Sequence, residues 1–414
     1  MPLFYVSWLL SYISIASFSA TIITPALPEI QYQFGLLQGQ VEWMVSAFLI
    51  GYVIGQLIYG PLANRFGRVI ALRIGLVINC IGVLICLIGI NHYSFGLLIW
   101  GRLISALGAA SGLACTFMLI NEWLPPEQRK TAIAYTILSF TLGIGSAVIL
   151  GGIITEYTSW TYCFYLLLAH GAIMLWGTRV FSETLTTPQP LNWKVIMIGY
   201  KDALNSGTLV IYSIVVGLCS AIGYCFSAVG PQIAIDLFKL SPAEYGYWNL
   251  FNMTGMLAGG LLAKLLLLRF SGNNVVQLGL SGTVLGLSCL LLISCYQLTS
   301  VILFFSCTLS LYLFSGLLFA GGSFIASNSV ADKASGAAMM SFINMVTATI
   351  SVIVIGWIST NSLIGFVTVL AGLWSLVFVL LLVQTCFTKR IDRIQLEQRE
   401  VTRIRRSRNT GVRM

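Results

Sequence analysis

Apolar residues fall in long runs along this chain, separated by short stretches that carry the charges, prolines and turn residues. A bilayer-crossing helix needs about 20 mainly apolar residues, because each adds ~1.5 Å against a hydrocarbon core of ~30 Å. Breaking the sequence at charges, Pro and turn residues gives twelve such runs. They lie near 4–24, 42–62, 74–91, 96–120, 132–154, 162–181, 207–232, 247–268, 275–296, 300–324, 337–358 and 363–387. The pattern predicts an all-α membrane protein with twelve transmembrane helices. The first run starts at Leu3 without a basic n-region and continues past Ser17, so it reads as a retained span and not a cleaved signal. A longer polar stretch at 182–206 divides the chain into a first six-helix bundle (1–181) and a second (207–387), and a basic tail follows at 388–414.

Composition agrees with the pattern. Of 414 residues, 57% are hydrophobic and 8% charged, and the mean hydropathy is +0.91. A soluble domain carries roughly 25% charged residues. That excludes the two or three soluble domains that length alone would suggest. The cations then fix an orientation, since cytoplasmic loops retain Lys and Arg. With both termini cytoplasmic, 19 of the 22 cations lie in inner loops or the tail, Lys239 lies outside, and Arg102 and Lys264 lie within spans. The tail holds nine of them against Asp392, Glu397 and Glu400. Anionic lipid, not nucleic acid, is its expected contact. Ten cysteines fall in or beside apolar runs with no CxxC and no zinc-type spacing, so they read as packing residues. No metal or cofactor is expected.

The loop after the second run reads Gly60-Pro61-Leu62-Ala63-Asn64-Arg65-Phe66-Gly67-Arg68, preceded by Gly51, Gly55, Gln56 and Tyr59. Small residues let helices approach closely in lipid, Gly67 permits a tight reversal, and Arg65 and Arg68 hold the loop inside. A faint echo, Gly260-Leu261-Leu262-Ala263-Lys264, recurs 200 residues on, as expected of parallel repeats with a solute site between them. The loop resembles the signature between helices two and three of the major facilitator superfamily. The string from Gly55 to Arg68 is most similar to its twelve-helix drug:proton antiporters of the bicyclomycin/chloramphenicol-resistance type. Further matches follow in order: Pro25 to Ile30, Arg102 with Gly108 and Ala109, the glycines 143, 145, 151 and 152, Trp160 to Phe164, Glu183 to Leu185, Ser241 to Gly246, and Ser335 to Ala338.

That resemblance implies the superfamily's fold of two pseudo-symmetric six-helix bundles. It makes Gly60, Asn64, Arg65, Gly67 and Arg68 the cytoplasmic gate. It also puts the first, fourth, seventh and tenth helices around a central cavity, with Ser14, Ser17, Phe18, Thr21, Ser105, Ser111, Thr116, Tyr224, Gln232, Ser310 and Tyr312 on its wall. Gln56 and Asn344 are expected to reach in from helices two and eleven. Two departures bear on mechanism. Asn64 stands where the family has Asp, so the gate latch should be weaker or rebuilt through Glu122 or Glu127. Thr21 stands where related exporters have an acid, and Thr cannot carry a proton. None of the 13 acidic residues sits at mid-membrane, so Glu29, Glu42, His170 and Arg102 are the coupling candidates.

Arg102 lies about six residues into the fourth span, ~9 Å deep. A cation there is costly, about 2.5–3.5 kcal/mol, without a partner or a wet cavity. It reads as an anion-contacting or coupling residue; the alternative is a structural arginine bonded to carbonyls or to Glu29. His170 reads as an interhelical hydrogen-bonding group, and His92 as a loop residue. The chain is therefore expected to be a monomeric secondary transporter of a small amphipathic solute in a bacterial inner membrane, with the bilayer and the solute as its partners. Export of a drug or metabolite comes first, and carriage of a specific anionic or siderophore-like metabolite second. A membrane enzyme would need clustered His, Asp or Glu within the spans; a channel would not need a gate loop between two halves.

Overall fold

Helix α1 (Leu3–Ser11) and helix α2 (Ser14–Thr21) are one apolar run bent by 46°. The Ser11 hydroxyl donates to Trp8 O at 2.7 Å and the Ser14 hydroxyl to Ser11 O at 2.7 Å. Such short-range bonds compete with the helix ladder and bend it. After Thr21 the chain passes through a 3₁₀ turn at Thr24–Ala26, with Pro25 inside it, and re-enters helix in α3 (Leu27–Gln33). The expected single span at 4–24 is thus a broken helix that runs on to Gln33. The computed structural model describes residues 3–410 except 38, 189, 191, 331, 359 and 360, and the side chains of these except 3, 126, 130, 131, 133, 134, 137, 333, 334 and 387–410. The charged side chains of the tail, Lys130 and Lys333 therefore lie outside the described residues.

Eleven described helices are long and apolar enough to cross a membrane, and the bent α1–α2 pair makes a twelfth. After α3 come α4 (Trp43–Phe66), α5 (Arg68–Asn91), α6 (Phe95–Trp123), α7 (Pro126–Tyr157) and α8 (Tyr162–Gly177). A short helix, α9 (Trp193–Leu204), interrupts the 182–206 stretch. Then follow α10 (Gly207–Phe238), α11 (Pro242–Leu267), α12 (Gly272–Cys295), α13 (Val301–Asn328), α14 (Lys333–Ile358) and α15 (Ser362–Thr410). No strand occurs among the described residues. The third span begins at Arg68, six residues before the expected start, because the Glu183 carboxylate accepts from the amides of Arg68 (2.8 Å), Val69 (3.1 Å) and Ile70 (3.4 Å). These are the amides a helix start leaves without partners. A negative group there also suits the helix dipole.

Close packing follows the small residues. A Cβ at Gly51 would lie 2.1 Å from Leu103 O, so α4 and α6 meet backbone to backbone. In the second half Gly259 of α11 meets α13 the same way, 2.2 Å from Leu313 O. The pairs Gly51/Gly55 and Gly255/Gly259 share a spacing of four, and each brings its helix against the helix two spans later. Between α5 and α6 a buried amide adds to this contact: Asn79 Nδ2 donates to Ser105 O and Ser105 Oγ, both at 2.9 Å. The two halves of the sequence touch chiefly through α7 against α11 and α4 against α14. One end of the helix array carries the 64–68 loop and α9, and is called here the linker face. The opposite end, with the loops around 39–42, 158–161 and 239–241, is the far face.

Candidate functional site

On the far face the two halves are in contact. Gly39, at φ +88°, approaches α14 so closely that a Cβ would sit 2.0 Å from Gly356 O. A side chain there would part the helices, and the left-handed backbone itself favours glycine. Gly152 of α7 meets Pro242 O at the start of α11, where a Cβ would lie 2.4 Å away. One carboxylate oxygen of Glu156 closes this contact, accepting from Ser241 Oγ at 2.6 Å and from Ala243 N at 2.9 Å. A carboxylate from the first half therefore caps the N-terminus of a helix in the second. Nearby, Glu42 is buried at the start of α4, and its Oε2 has no partner among the described residues. Burial raises its pKa above the usual glutamate range.

At mid-depth a band of polar residues, with Tyr52, Asn252 and Asn344 buried and Gln56, Tyr224 and Tyr312 half-buried, runs across α4, α10, α11, α13 and α14. Tyr224 of α10 approaches Tyr52 of α4, whose hydroxyl faces Gln56. Tyr312 of α13 reaches α10 at Gly223, its hydroxyl 4.0 Å from where a Cβ would stand. Phe226 lies against Tyr312 at 6.1 Å and Tyr245 at 6.2 Å between ring centroids. Three amide oxygens in this belt lack partners among the described residues: Gln56 Oε1 on α4, Asn252 Oδ1 on α11 and Asn344 Oδ1 on α14. Asn252 is otherwise held by its own helix, donating to Asn249 Oδ1 at 2.8 Å. Orphaned acceptors in an apolar surround are costly unless something donates to them. Tyr52, Asn249 and Asn252 were not singled out in the sequence. The signals were present: Tyr52 stands one turn from Gln56, and the asparagines lie three apart in an otherwise apolar run.

Several residues expected on the cavity wall point elsewhere. Ser14, Ser17 and Thr21 turn toward α7. The Ser17 hydroxyl donates to Ser14 O at 3.0 Å and also faces Phe140 O at 3.3 Å, and that of Thr21 donates to Ser17 O at 2.8 Å and faces Ile144 O at 3.4 Å. Gly143 of α7 rests on Ser14. Phe18 lies against His170, ring centroids 4.8 Å apart and the planes tilted by 37°, so the pair joins α2 to α8. Ser105 and Ser111 face α5 against Gly82 and Gly75, and Ser310 faces α12 at Gly286. Thr116 is buried, without a partner for its hydroxyl, one turn beyond Gly112, which rests on Tyr12 O. Gln232 bonds its own helix neighbour Asp236 at 3.0 Å. Small hydroxyl residues serve close packing in lipid, and their hydroxyls find acceptors one turn back. Of the expected wall residues, Gln56 and Asn344 instead keep an amide oxygen without a partner among the described residues, and Tyr224 and Tyr312 stay half-buried at the α10 surface.

Arg102 is fully buried and caps the broken first helix. It donates to Ser19 O at 2.8 Å, Ala20 O at 3.3 Å and Met44 O at 3.3 Å, and its guanidinium lies 4.3 Å from the Phe48 ring centroid. Ser19 and Ala20 are in the last turn of α2, where carbonyls lack helical partners and the dipole is negative. The carbonyl alternative is the one the geometry displays, and Glu29 is not among its partners.

On the linker face Arg68 forms a two-pronged pair with Glu122, Nε to Oε2 at 2.9 Å and Nη2 to Oε1 at 2.8 Å. Thr184 Oγ1 donates to Glu122 Oε2 at 2.6 Å, and Arg68 Nη1 to Ala63 O at 2.9 Å. Asn64 lines a polar pocket of about 270 Å³ with these residues and Leu185 to Thr187. Glu122, and not residue 64, is the acid that pairs with Arg68 on this face. Arg65 is exposed, Gly60 meets nothing, and Gly67, at φ +116°, lies against the Glu183 carboxylate, leaving no room for a Cβ. Tyr200 of α9 donates to Leu57 O of α4 at 3.3 Å.

A family model described as Major Facilitator Superfamily matches residues 9–350. The chain belongs to that superfamily. Major facilitator transporters share its fold: the solved D-xylose-proton symporter superposes with a TM-score of 0.73 at 15% identity, covering 91% of this chain and 96% of that one. A bacterial homologue of the lysosomal transporter Spinster, in an inward-facing and unoccupied conformation, gives 0.67 at 13% identity over 93% and 95%. By sequence, "Efflux pump hmp6" of Hypomyces subiculosus is 29% identical over 170 residues, 41% of this chain and 29% of the pump. An uncharacterized transporter of Rickettsia felis is 27% identical over 271 residues, 63% of this chain and 64% of the relative. The matched stretches thus span less than two thirds of these relatives' own lengths.

Proposed function

We propose that this major facilitator transporter exports a small amphipathic solute by alternating access, and that the structure represents a state closed on the far face. The observation that carries the solute class is the mid-depth belt: Tyr52, Tyr224 and Tyr312 offer ring faces, while Gln56, Asn252 and Asn344 offer amides with an unused end. Such a wall suits a molecule with an aromatic or apolar body and a few hydrogen-bonding groups. The Lys/Arg distribution supports reading the linker face as cytoplasmic, in a bacterial-type inner membrane. On this reading the two halves, divided at 182–206, rock about the belt, and Glu156 releases Ser241 when the far face opens. The efflux pump among the relatives supports export.

Import or export of one specific metabolite is the second reading. It is favoured by Thr21 in place of an acid, and Glu29, Glu42 and His170 are then the residues left to couple protons. Proteoliposomes loaded with an amphipathic fluorescent amine or a labelled anionic metabolite, with and without an imposed pH gradient, test both. Export predicts gradient-dependent flux that Tyr224→Ala and Tyr312→Ala each reduce at least tenfold. Wild-type flux in both variants removes the belt as the solute site. Gradient-independent flux removes the antiporter but keeps the carrier.

A further inference from the structure

Helix α9 has a side that no other described residue covers. Its inner side, with Ile196, Tyr200 and Ala203, packs on Leu57 of α4, Leu209 of α10 and Met339 of α14. Leu209 and Met339 stand in the first turns of two apolar spans, Gly207–Phe238 and Ser335–Ile358. That contact sets α9 at the level where the apolar spans begin, so it lies along the bilayer surface. Away from that contact Val195, Met197 and Ile198 are each more than half exposed, with Trp193 and Leu204 nearly so, and Val195 and Ile198 lie beyond the lysines, on the Asp202 side of the helix. At ~100° per residue, Trp193, Met197 and Leu204 share one strip of the helix. Lys194 and Lys201, seven residues apart and both exposed, form the adjoining stripe. Asp202 is the acidic residue on this helix, and it sits about a quarter-turn away from the stripe.

We infer that α9 is a lipid-reading helix: Trp193, Met197 and Leu204 enter the acyl boundary, while Lys194 and Lys201 pair with anionic phospholipid headgroups in the leaflet at the linker face. Apolar residues at this depth next to lysines whose stems can lie along them suit an interfacial helix. Neither a soluble partner nor a second copy is needed, because the bilayer already adjoins this surface on the spans to either side. The inner side of α9 clasps α4 of the first half to α14 of the second. Headgroups that hold α9 down therefore also steady the place where the halves meet on this face.

The test uses the full-length protein in nanodiscs of phosphatidylcholine alone or with added phosphatidylglycerol, so it depends on neither transport direction nor solute. Amide hydrogen exchange across 193–204 and the lipids retained in native mass spectrometry are read together. Phosphatidylglycerol should slow exchange in 193–204 while leaving the far-face ends of α4 and α11 unchanged. Retention should favour phosphatidylglycerol by about fivefold per lysine, the equivalent of about 1 kcal/mol each. Lys194→Gln/Lys201→Gln should abolish both effects with the protein still monodisperse. Removing residues after 388 should leave both in place. Equal exchange in the two lipids, or a preference that survives the double variant and vanishes with the tail, overturns the inference.

Discussion

Arg102→Met is the substitution that separates a structural cap from a solute contact. The side chain keeps an unbranched stem of similar bulk as far as Nε and loses the guanidinium's charge and donors. Three carbonyls are affected, at 2.8, 3.3 and 3.3 Å. Hydrogen bonds from a charged donor contribute about 1.5–3 kcal/mol, and the two longer ones belong at the low end, giving about 5 kcal/mol gross. Against this, removing a cation from the membrane interior relieves about 2.5–3.5 kcal/mol. The lost contact with Phe48 adds back about 1 kcal/mol. The net destabilisation is about 2.5–3.5 kcal/mol, localised where α2 ends and α4 and α6 meet. Arg102→Lys should fall between wild type and Met, because one ammonium cannot span carbonyls on two helices. Thermal unfolding in detergent gives the order, and solute affinity is measured at a temperature where all three forms are folded. A lowered melting temperature with affinity kept within twofold supports the cap. Unchanged melting with lost affinity would refute it and return Arg102 to the solute site.

Glu156→Gln keeps the shape of the far-face latch but removes its charge. Because the group is exposed, its bond to the α11 N-terminus contributes about 1 kcal/mol. Far-face labelling of a cysteine placed beside Ser241 should therefore rise about fivefold; unchanged labelling means Glu156 holds nothing. Glu122→Gln should loosen the 64–68 loop, with a double-mutant cycle against Arg68→Ala giving about 1 kcal/mol of coupling, modest because Glu122 is 35% exposed. Additive effects would show the pair to be incidental. Burial raises the Glu42 pKa above the ordinary 4.5, so the closed far face favours the protonated acid. That stabilisation is complete below pH 4.5 and fades as pH climbs through the raised value. Far-face labelling should rise with pH across that window and become flat in Glu42→Gln; a slope that persists in the variant assigns it to another group.

The sequence revealed the spans because burial in lipid demands long apolar runs, and those are visible without knowing what each run touches. Helix one was harder. Its break depends on Ser11 and Ser14 bonding back to Trp8 and Ser11, and on Arg102, 81 residues beyond Thr21, reaching the carbonyls of Ser19 and Ala20. Composition cannot show that. Cavity residues were legible as a class but not by direction. Thr21 and Ser105 look alike to Gln56 in a hydropathy pattern, yet the first two are small enough to be drawn into helix contacts with α7 and α5, whereas a glutamine is too long to hide its amide there. Glu122 and Glu127 were both legible as groups that could rebuild the latch at Asn64, and Glu122 is the one paired with Arg68. Glu156 was not legible, since its role lies in meeting the start of a helix 85 positions on.

The polar contacts at the two faces are of different kinds, and the difference indicates which face gives way. On the far face the carboxylate of Glu156 crosses from the first half of the chain to the second, and backbone meets backbone at Gly39 and Gly356. On the linker face the charged cluster of Arg68, Glu122, Glu183 and Thr184 belongs to one half, so it stiffens that half without fastening it to the other. There the halves are joined through apolar packing around Leu57, Met339 and Phe342, and through α9. Apolar surface that separates into a wet vestibule costs about 25 cal/mol per Å² and carries no directional bond to break. Opening at the linker face would therefore leave the Glu156 contact between the halves intact, and α9, lying across that seam, is placed to set how readily it parts.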